Sequence, residues 1–294
     1  MNSKELYQWC QIPYQNLPKY PMAKTPYRIV KDKSEMGELM ASELIKEIQH
    51  AIDNDGIARI IVPCGPRCWY EPFARMINQK KISLKNVVVY HMDECLDWQG
   101  CLLPKNHPYN FQTFMEKEFY APIDSSLATL EINRKWLTPQ TMEAIRSEIN
   151  ENTIHYALGG WGQDGHLAYN QTRRHPFSTI NLEQLASCSI RIQENNLDTI
   201  IALAQRELGA AYQFAPAMSV TLGLKEILKA KKIRVYSDTG SWKQTAFRVA
   251  LFSEPTVEYP ITLLQNHSDA IITATIETAS HTISLNPQWE FFNE

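Results

Sequence analysis

The sequence predicts an α/β protein in which helices cover both faces of a mainly parallel sheet, a three-layer α/β/α, Rossmann-like arrangement. Short apolar runs rich in β-branched residues recur along the chain, and segments with apolar residues at helical spacing lie between them. Polar or glycine-rich clusters directly follow these runs. Because ligands bind beyond the carboxyl ends of parallel strands, we expect the clusters to meet in one cleft.

The composition is that of an ordinary globular protein. The chain has 294 residues, 44% hydrophobic and 21% charged, which is enough for one large or two modest domains. A net charge of -3 gives no electrostatic case for a nucleic-acid partner. No apolar run is long enough to span a bilayer, and the first 24 residues lack the apolar core of a signal peptide. We therefore expect no membrane partner and a cytoplasmic location.

The six cysteines are scattered along the chain. In a long chain without export signals, this pattern predicts reduced thiols rather than a disulfide framework. The paired short spacings of a zinc module are absent, so no metal site is expected.

An N-terminal arm and one domain are predicted. Residues 1–28 are rich in Tyr, Pro and Gln, which is typical of a segment that packs across a larger body. Residues 29–294 contain no internal repeat, low-complexity tract or linker, and we interpret them as a single α/β domain.

Helix and strand signals follow in order. Asp32 and Glu35 have the spacing of a capping box, and apolar residues then recur at helical spacing as far as Ile52. Gly56 supplies the C-terminal stop of this helix, and a second helical stretch includes Phe73. Apolar, β-branched runs predict five strands, at residues 57–62, 87–90, 154–158, 233–236 and 270–274.

The glycine-rich segment GGWGQDGH, at residues 159–166, follows the third predicted strand. Glycines let the backbone turn tightly and present N–H groups to an anion or a reacting oxygen. Asp164 and His166 are two residues apart and can both face the cleft, and histidine titrates near neutral pH, which suits proton transfer on a sugar ring. The alternative is a glycine turn with a surface histidine.

Two carboxylates, Asp93 and Glu94, follow the second predicted strand. A carboxylate at a strand's end, flanked by Met92 and Cys95, can lose part of its hydration, which raises its pKa toward that of a useful general base. The alternative is that one of them only caps the next helix.

Candidate phosphate ligands lie at strand-to-helix junctions. The backbone N–H groups of the turn at Gly65, Pro66 and Arg67, together with a helix N-terminus, can hold a phosphate. This turn is not a Walker loop, because no Gly-Lys-Ser/Thr follows. Lys243 follows another strand, and Arg206 lies on a predicted helix; taken alone, each fits a solvated charge better than a ligand.

Together these segments resemble the glucosamine-6-phosphate deaminase (isomerase) family. The match is collinear from about Asp32 to about Thr275, and several moderately specific motifs in order make a strong signal. The glycine-rich segment is similar to the family signature LGGIGxDGHIAFN. The matching segments are VYHMDE at 89–94, HPYNFQTFM at 107–115, LGGWGQDGHLAYN at 158–170, VTLG at 220–223 and GSWKQTA at 240–246.

The resemblance implies a reaction and the residues that perform it. Asp93 stands where the family has the base that moves a proton between C2 and C1 of the opened sugar. His166 stands where it has the ring-opening histidine, and Asp164 where an acid supports that histidine. Ring opening, isomerisation and hydrolytic loss of ammonia would convert glucosamine 6-phosphate, or a related phosphosugar, to fructose 6-phosphate. The resemblance implies no metal or organic cofactor. The positions implied to bind the sugar and its phosphate are Gly65, Gly160, Gly162, Arg206 and Lys243.

Several departures from the family pattern lie at the implied site. Gln171 stands where the family has a glutamate that completes the acid–histidine system, and glutamine has no charge with which to favour imidazolium. In the phosphate loop Pro66 removes one amide donor, and Arg67 adds a cation that can replace it. Arg173 and Arg174 follow, where the family is less basic, and they would suit a second anionic group on the substrate, such as a carboxylate. The alternative is that both arginines face solvent.

Two other functions are considered. A 6-phosphogluconolactonase shares the fold and the Asp-Gly-His turn but typically continues it with a Ser-Leu-Phe-Pro type run, whereas LAYN follows here at 167–170. A non-catalytic sugar-phosphate sensor would explain Gln171. The retention of Asp93, Asp164 and His166 argues against the sensor.

The resemblance also implies a homo-oligomer, since family members commonly assemble and some are activated at a subunit interface. Arg191 matches an arginine of that allosteric site, but the nearby lysine position is Gln193. Allosteric activation is therefore not assumed.

Overall fold

The computed structural model describes residues 1–20, 23–173 and 175–292. Its strands are β1 (Tyr27–Val30), β2 (Ala58–Val62), β3 (Val87–His91), β4 (Asp93–Leu96), β5 (Arg134–Lys135), β6 (Tyr156–Gly159), β7 (Arg191–Glu194), β8 (Met218–Thr221), β9 (Lys232–Ser237) and β10 (Ala270–Thr275). Its α-helices are α1 (Ser3–Gln11), α2 (Lys33–Asp55), α3 (Tyr70–Lys80), α4 (Phe111–Met115), α5 (Met142–Glu151), α6 (Leu182–Ser187), α7 (Leu197–Glu207), α8 (Leu224–Ile227), α9 (Gln244–Phe252), α10 (Ile276–Ala279) and α11 (Thr282–Leu285).

Seven strands form one parallel sheet in the order β1-β10-β9-β6-β2-β3-β5. All five predicted strands are present in it, with ends within two residues of the prediction, and the predicted α/β class is confirmed. After β2 the chain adds β3 and β5 on one side of the sheet, and after β6 it adds β9 and β10 on the other side. The carboxyl ends of these two neighbouring strands therefore form a switch point, where an open sheet leaves a crevice.

The sheet buries apolar side chains on both faces. Along β2 and β3, Ile60 and Val89 belong to the core cluster that includes helices α2 and α3. The alternate residues Ile61 and Val88 belong to a second cluster, which includes α5, α8 and α9. Because side chains alternate across a strand, this pattern places a helix layer on each face.

Two strands of the main sheet are not predicted from the sequence. The edge strand β1 has four residues of mainly intermediate burial, and β5 has only Arg134 and Lys135, so neither shows the apolar run of a central strand. Tyr27 and Arg28 lie in β1, so the predicted arm, residues 1–28, runs into the edge of the sheet. The division into an arm and a domain at 29–294 stays a prediction.

A second, antiparallel sheet in the order β4-β8-β7 is also absent from the prediction. Its first strand begins at Asp93, which pairs with Thr221 of β8. Asp93 and Glu94 are therefore strand residues, although the sequence placed them after a strand's end. The two residues that precede Cys95 are acidic, so the strand lacks an apolar signal.

The long helix α2 begins and ends where the sequence predicts. The side chain of Asp32 accepts hydrogen bonds from the N–H groups of Ser34 and Glu35, both at 3.0 Å. Glu35 departs from a capping box, because its carboxylate accepts the N–H of Lys31. Gly56 ends the helix with φ +71°, a conformation that glycine adopts at little cost.

The N-terminal helix α1 packs against α9 and α11. Arg248 of α9 is fully buried and donates from Nη2 to the carbonyl oxygens of Ile12 (3.0 Å) and Ala279 (2.7 Å). One guanidinium thus joins the N-terminal segment to the end of helix α10. None of the helices in the described parts of the chain has the length and apolar character needed to cross a membrane.

Gly37 allows α2 to lie against the loop that follows β2. A Cβ at this position would be 2.2 Å from the carbonyl oxygen of Cys68, a backbone atom that cannot move alone. We expect Gly37→Ala to lower the free energy of unfolding by about 1–2 kcal/mol, because overpacking outweighs the helix preference of alanine. Urea unfolding measures this effect.

Ser42→Ala is the matched control for Gly37→Ala, because Ser42 is an exposed residue of the same helix. Its free energy of unfolding should change by less than about 0.5 kcal/mol. A Gly37→Ala protein as stable as the wild type would contradict the close approach of helix and loop.

Candidate active site

A cleft of about 460 Å³ lies at the switch point between β2 and β6. The loops after these strands touch, since a Cβ at Gly160 would lie 3.0 Å from the carbonyl oxygen of Gly65. The expectation that the polar clusters meet in one cleft is confirmed. Eight of the ten predicted site residues line it: Gly65, Arg67, Asp93, Gly160, Gly162, His166, Arg206 and Lys243.

The other two predicted residues, Asp164 and Gln171, are buried beside His166 rather than in the wall of the cleft. Asp164 Oδ1 accepts a hydrogen bond from His166 Nδ1 at 2.5 Å and is 3.3 Å from the His166 backbone N–H. With Nδ1 bound, Nε2 is the ring nitrogen left for a ligand. Burial opposes ionisation of Asp164, but the charge and hydrogen bonds of His166 outweigh it and hold the pKa of Asp164 below its usual value.

Gln171 connects this pair to the start of α7. Its Oε1 accepts the backbone N–H of Asn196 at 2.8 Å, which fixes the orientation of the amide. Nε2 therefore points the other way, donates to Thr199 Oγ1, and lies 3.0 Å from His166 Nδ1 and 3.5 Å from Asp164 Oδ2. Gln171 thus presents a donor to the Asp164–His166 pair, whereas a glutamate there would present a second carboxylate.

Asp93 lies at the cleft and is the first residue of β4. Burial and the charge of Glu94 together raise the pKa of Asp93 to about 7, and the charge of His166 opposes this shift. A carboxyl group with a pKa near neutrality can both accept and return a proton at physiological pH.

Glu94, the neighbour of Asp93, has a structural role. Its carboxylate accepts the backbone N–H groups of Cys95 (2.9 Å), Phe111 (2.8 Å) and Gln112 (2.8 Å), so it caps α4. The alternative that a carboxylate caps the next helix is therefore correct for Glu94. Burial raises the pKa of both carboxyl groups, but the three N–H donors favour the ionised form of Glu94.

The loop after β2 supplies one cationic side chain to the cleft. The guanidinium of Arg67 lies 3.7 Å from the ring centroid of Phe114, and Nη1 is 3.8 Å from Glu207 Oε1. Trp69, which is fully buried, donates its indole N–H to the carbonyl oxygen of Pro66 at 3.0 Å. The loop is thus held from below by Trp69 and from the side by α4 and α7.

Two further cations reach the cleft from distant parts of the chain. Arg206 comes from the last turn of α7, and Lys243 directly precedes α9. Lys243 is buried; desolvation lowers the pKa of its ammonium to about 7, Asp238 opposes this shift, and the positive charge of Arg206 contributes to it. An anion in the cleft would restore the charge of Lys243.

Arg173, two residues after Gln171, lies outside the cleft. Arg173 is more than half exposed, pairs with Glu194 and borders a neighbouring cavity of about 860 Å³. Arg173 therefore does not line the cleft, and the expectation that Arg173 or Arg174 binds a second anionic group stays a prediction. Arg174 lies outside the described residues.

Arg191, the candidate allosteric residue, contacts the last residue of the motif LGGWGQDGHLAYN at 158–170. Its Nη1 donates to Asn170 Oδ1 at 2.9 Å, and burial lowers the pKa of its guanidinium. Gln193 donates to the carbonyl oxygen of Tyr169. Both residues of β7 thus hold the segment that leads to Gln171, and allosteric activation stays untested.

Some residues that line the cleft are missing from the sequence-based prediction. Lys33 follows β1, and it was missed because β1 itself shows no strand signal. Asp238 follows a predicted strand and could have been selected by the same rule as Asp93. Tyr109 lies in the motif HPYNFQTFM and Trp242 in the motif GSWKQTA, and neither motif assigns a role to these side chains.

Comparisons with known proteins agree with this arrangement. A glucosamine-6-phosphate deaminase from Phocaeicola vulgatus is 30% identical over 211 residues, which cover 71% of this chain and 74% of that protein. The structure of a monomeric glucosamine-6-phosphate deaminase matches with a TM-score of 0.70 and 18% identity, over 87% of this chain and 99% of the other. A 6-phosphogluconolactonase from Shewanella baltica matches with a TM-score of 0.61 and 18% identity, over 85% and 97%. No model of a protein family matches the chain.

Proposed function

The chain belongs to the glucosamine-6-phosphate deaminase family, and on that premise we propose that it is an enzyme that converts glucosamine 6-phosphate, or a closely related aminosugar phosphate, to fructose 6-phosphate and ammonia. One observation carries the proposal: Asp93 and His166, which is hydrogen-bonded to Asp164, line the same cleft as the cations Arg206 and Lys243. A base, a proton shuttle and an anion site are the parts that this reaction needs.

His166 opens the sugar ring in the proposed mechanism. As an imidazolium it gives the Nε2 proton to the ring oxygen while the bond between C1 and that oxygen breaks, and the proton lost from the C1 hydroxyl returns to Nε2 and restores the imidazolium. Asp164 holds Nδ1 and so orients the ring for this transfer.

Asp93 performs the isomerisation. Its carboxylate removes the proton from C2 while the C1 oxygen takes a proton from solvent, which gives an enolamine. Asp93 then returns its proton to C1, leaving an iminium at C2 that adds water and expels ammonia. The raised pKa of Asp93, about 7, suits both halves of this transfer.

The phosphate is held by Arg206, Lys243 and the loop at Gly65 and Arg67 in this proposal. Gln171 keeps Asp164 and the start of α7 together through Nε2 and Oε1, a role that needs no charge. We therefore propose that the exchange of glutamate for glutamine preserves the geometry of the site and alters how protons are shared within it.

A substrate panel tests this function against the lactonase alternative. The enzyme should produce fructose 6-phosphate from glucosamine 6-phosphate and should not accelerate hydrolysis of 6-phosphogluconolactone. The location of Asp93 favours the deaminase, because a lactonase needs no base at C2. Rapid lactone hydrolysis without ketose formation would overturn the proposal in favour of the lactonase.

The activity should have a narrow pH optimum near 7. Asp93 must be ionised to act as a base, so kcat/KM should rise about tenfold per pH unit below a pKa of about 7. Lys243 must be protonated to hold phosphate, so kcat/KM should fall again above a pKa of about 7. Bound phosphate restores the charge of Lys243, so kcat itself should stay level on the alkaline side.

Steady-state kinetics from pH 5.5 to 9 check this profile. Because the alkaline fall belongs to phosphate binding, it should appear as a rising KM. A kcat/KM that is flat between pH 5.5 and 7 would exclude Asp93 as the base with this pKa.

The finer expectations of a cytoplasmic location and a homo-oligomer also remain proposals. Arg191 and the family resemblance support assembly, whereas one similar structure is that of a monomeric deaminase. Sedimentation of the purified protein distinguishes the two.

A further inference from the structure

Arg206 and Lys243, the two cationic residues proposed to bind phosphate, both lie against one aromatic ring. The guanidinium carbon of Arg206 lies 4.5 Å from the ring centroid of Trp242, and the Nζ atom of Lys243 lies 4.7 Å from it. All three residues line the cleft. Both distances are within the range of a cation–π interaction, and tryptophan has the most attractive ring face.

The two cations reach Trp242 from different elements. Arg206 lies in the last turn of α7 and is exposed, and its Nε donates to the carbonyl oxygen of Ala202 at 3.2 Å. Lys243 is buried and lies next to Trp242 in the short 3-10 helix Ser241–Lys243. Two like charges repel each other. An attractive interaction must therefore favour the arrangement in which both side chains lie at Trp242.

An aromatic face suits that task better than a carboxylate. A carboxylate would attract both cations, but it would also neutralise them and compete with an incoming phosphate. The face of an indole attracts cations through its quadrupole and leaves their N–H groups free to donate. Lys243 also lies 5.7 Å from the ring centroid of Trp161, whose own ring stacks on Phe247.

We propose that Trp242 is a positioning residue for substrate binding, and that its indole holds Arg206 and Lys243 as a preformed pair of cations for the phosphate group. The inference rests on the proposed function in that the phosphate belongs to the sugar substrate. Its direct consequence, affinity for a phosphate ion, does not depend on turnover.

Three substitutions and one control test this role. Trp242→Leu keeps an apolar side chain without a ring, Trp242→Phe keeps a weaker aromatic face, and Trp242→Ala removes the side chain. Trp98→Leu is the matched control, because Trp98 is 75% exposed and lies outside the cleft. The Kd for inorganic phosphate is measured by calorimetry for all four variants, together with KM and kcat for glucosamine 6-phosphate.

We expect Trp242→Leu and Trp242→Ala to weaken phosphate binding and raise KM by roughly tenfold, with a smaller change in kcat. Trp242→Phe should recover a large part of the affinity, and Trp98→Leu should match the wild type. A Trp242→Leu protein with wild-type affinity for phosphate, or a Trp242→Phe protein as weak as Trp242→Leu, would overturn the inference. If the wild type binds phosphate but releases no ammonia, the proposed function fails while this inference is still decided by the phosphate affinities.

Discussion

Replacing Asp93 by asparagine should lower kcat for ammonia release by about 10³-fold or more, with KM changed only a few-fold. The carboxamide has nearly the shape of the carboxylate but cannot take a proton from C2. Since Asp93 lines the cleft and its pKa is raised to about 7, it is the carboxyl group best suited to that step. The substitution does not alter Arg206 or Lys243, so the variant should still bind the phosphate group of the substrate.

Asp53→Asn is the control for Asp93→Asn. Asp53 is an exposed carboxylate on α2, and its replacement should leave the kinetics unchanged. If Asp93→Asn kept more than about a tenth of the wild-type kcat, the proton at C2 would have to be removed by another group, and the assignment of the base would be wrong.

Gly162→Ala should lower kcat by about 100-fold or more although the residue carries no functional group. A Cβ at this position would lie 2.1 Å from His166 Cε1 and 2.3 Å from His166 Nδ1. The imidazole must therefore leave its present place, which breaks its hydrogen bond to Asp164 and removes Nε2 from the ring oxygen of the sugar. Misplacement of a reacting group by about 1 Å is enough for a loss of this size.

The His166→Ala background provides the control for Gly162→Ala. Without the imidazole there is nothing for the new methyl group to displace, so adding Gly162→Ala should lower kcat by no more than about twofold further. Two losses that multiply would show that alanine at position 162 acts by another route, such as disturbing the sugar-binding turn. Urea unfolding of each variant confirms that the proteins compared are folded.

The central part of the fold can be predicted because it depends on local patterns. The buried strands β2, β3, β6, β9 and β10 are short runs rich in apolar residues, and their carboxyl ends must meet at one edge of a parallel sheet. The edge strand β1 and the small sheet β4-β8-β7 are not predicted, because these strands are short and many of their residues are polar or half-buried. Pairing with distant partners stabilises these strands, and the local sequence does not record such pairing.

The site shows the same division between local and distant determinants. Asp164 and His166 form their hydrogen bond within one turn, so their spacing alone suggests it. The contacts of Gln171 with Asn196 and Thr199 join segments about 25 residues apart, and nothing in the sequence near Gln171 indicates them. Likewise nothing in the sequence near Arg173 indicates its ion pair with Glu194, which lies outside the cleft.

The most direct test of the proposed function is ammonia release by the purified protein given glucosamine 6-phosphate, with His166→Ala assayed in parallel. We predict one ammonia for each fructose 6-phosphate formed, and a loss of about 100-fold or more in the variant. That result would show that Gln171 supports the acid–histidine pair without a charge of its own. Binding of glucosamine 6-phosphate without release of ammonia would contradict the proposed deaminase activity and identify the chain as a sugar-phosphate sensor.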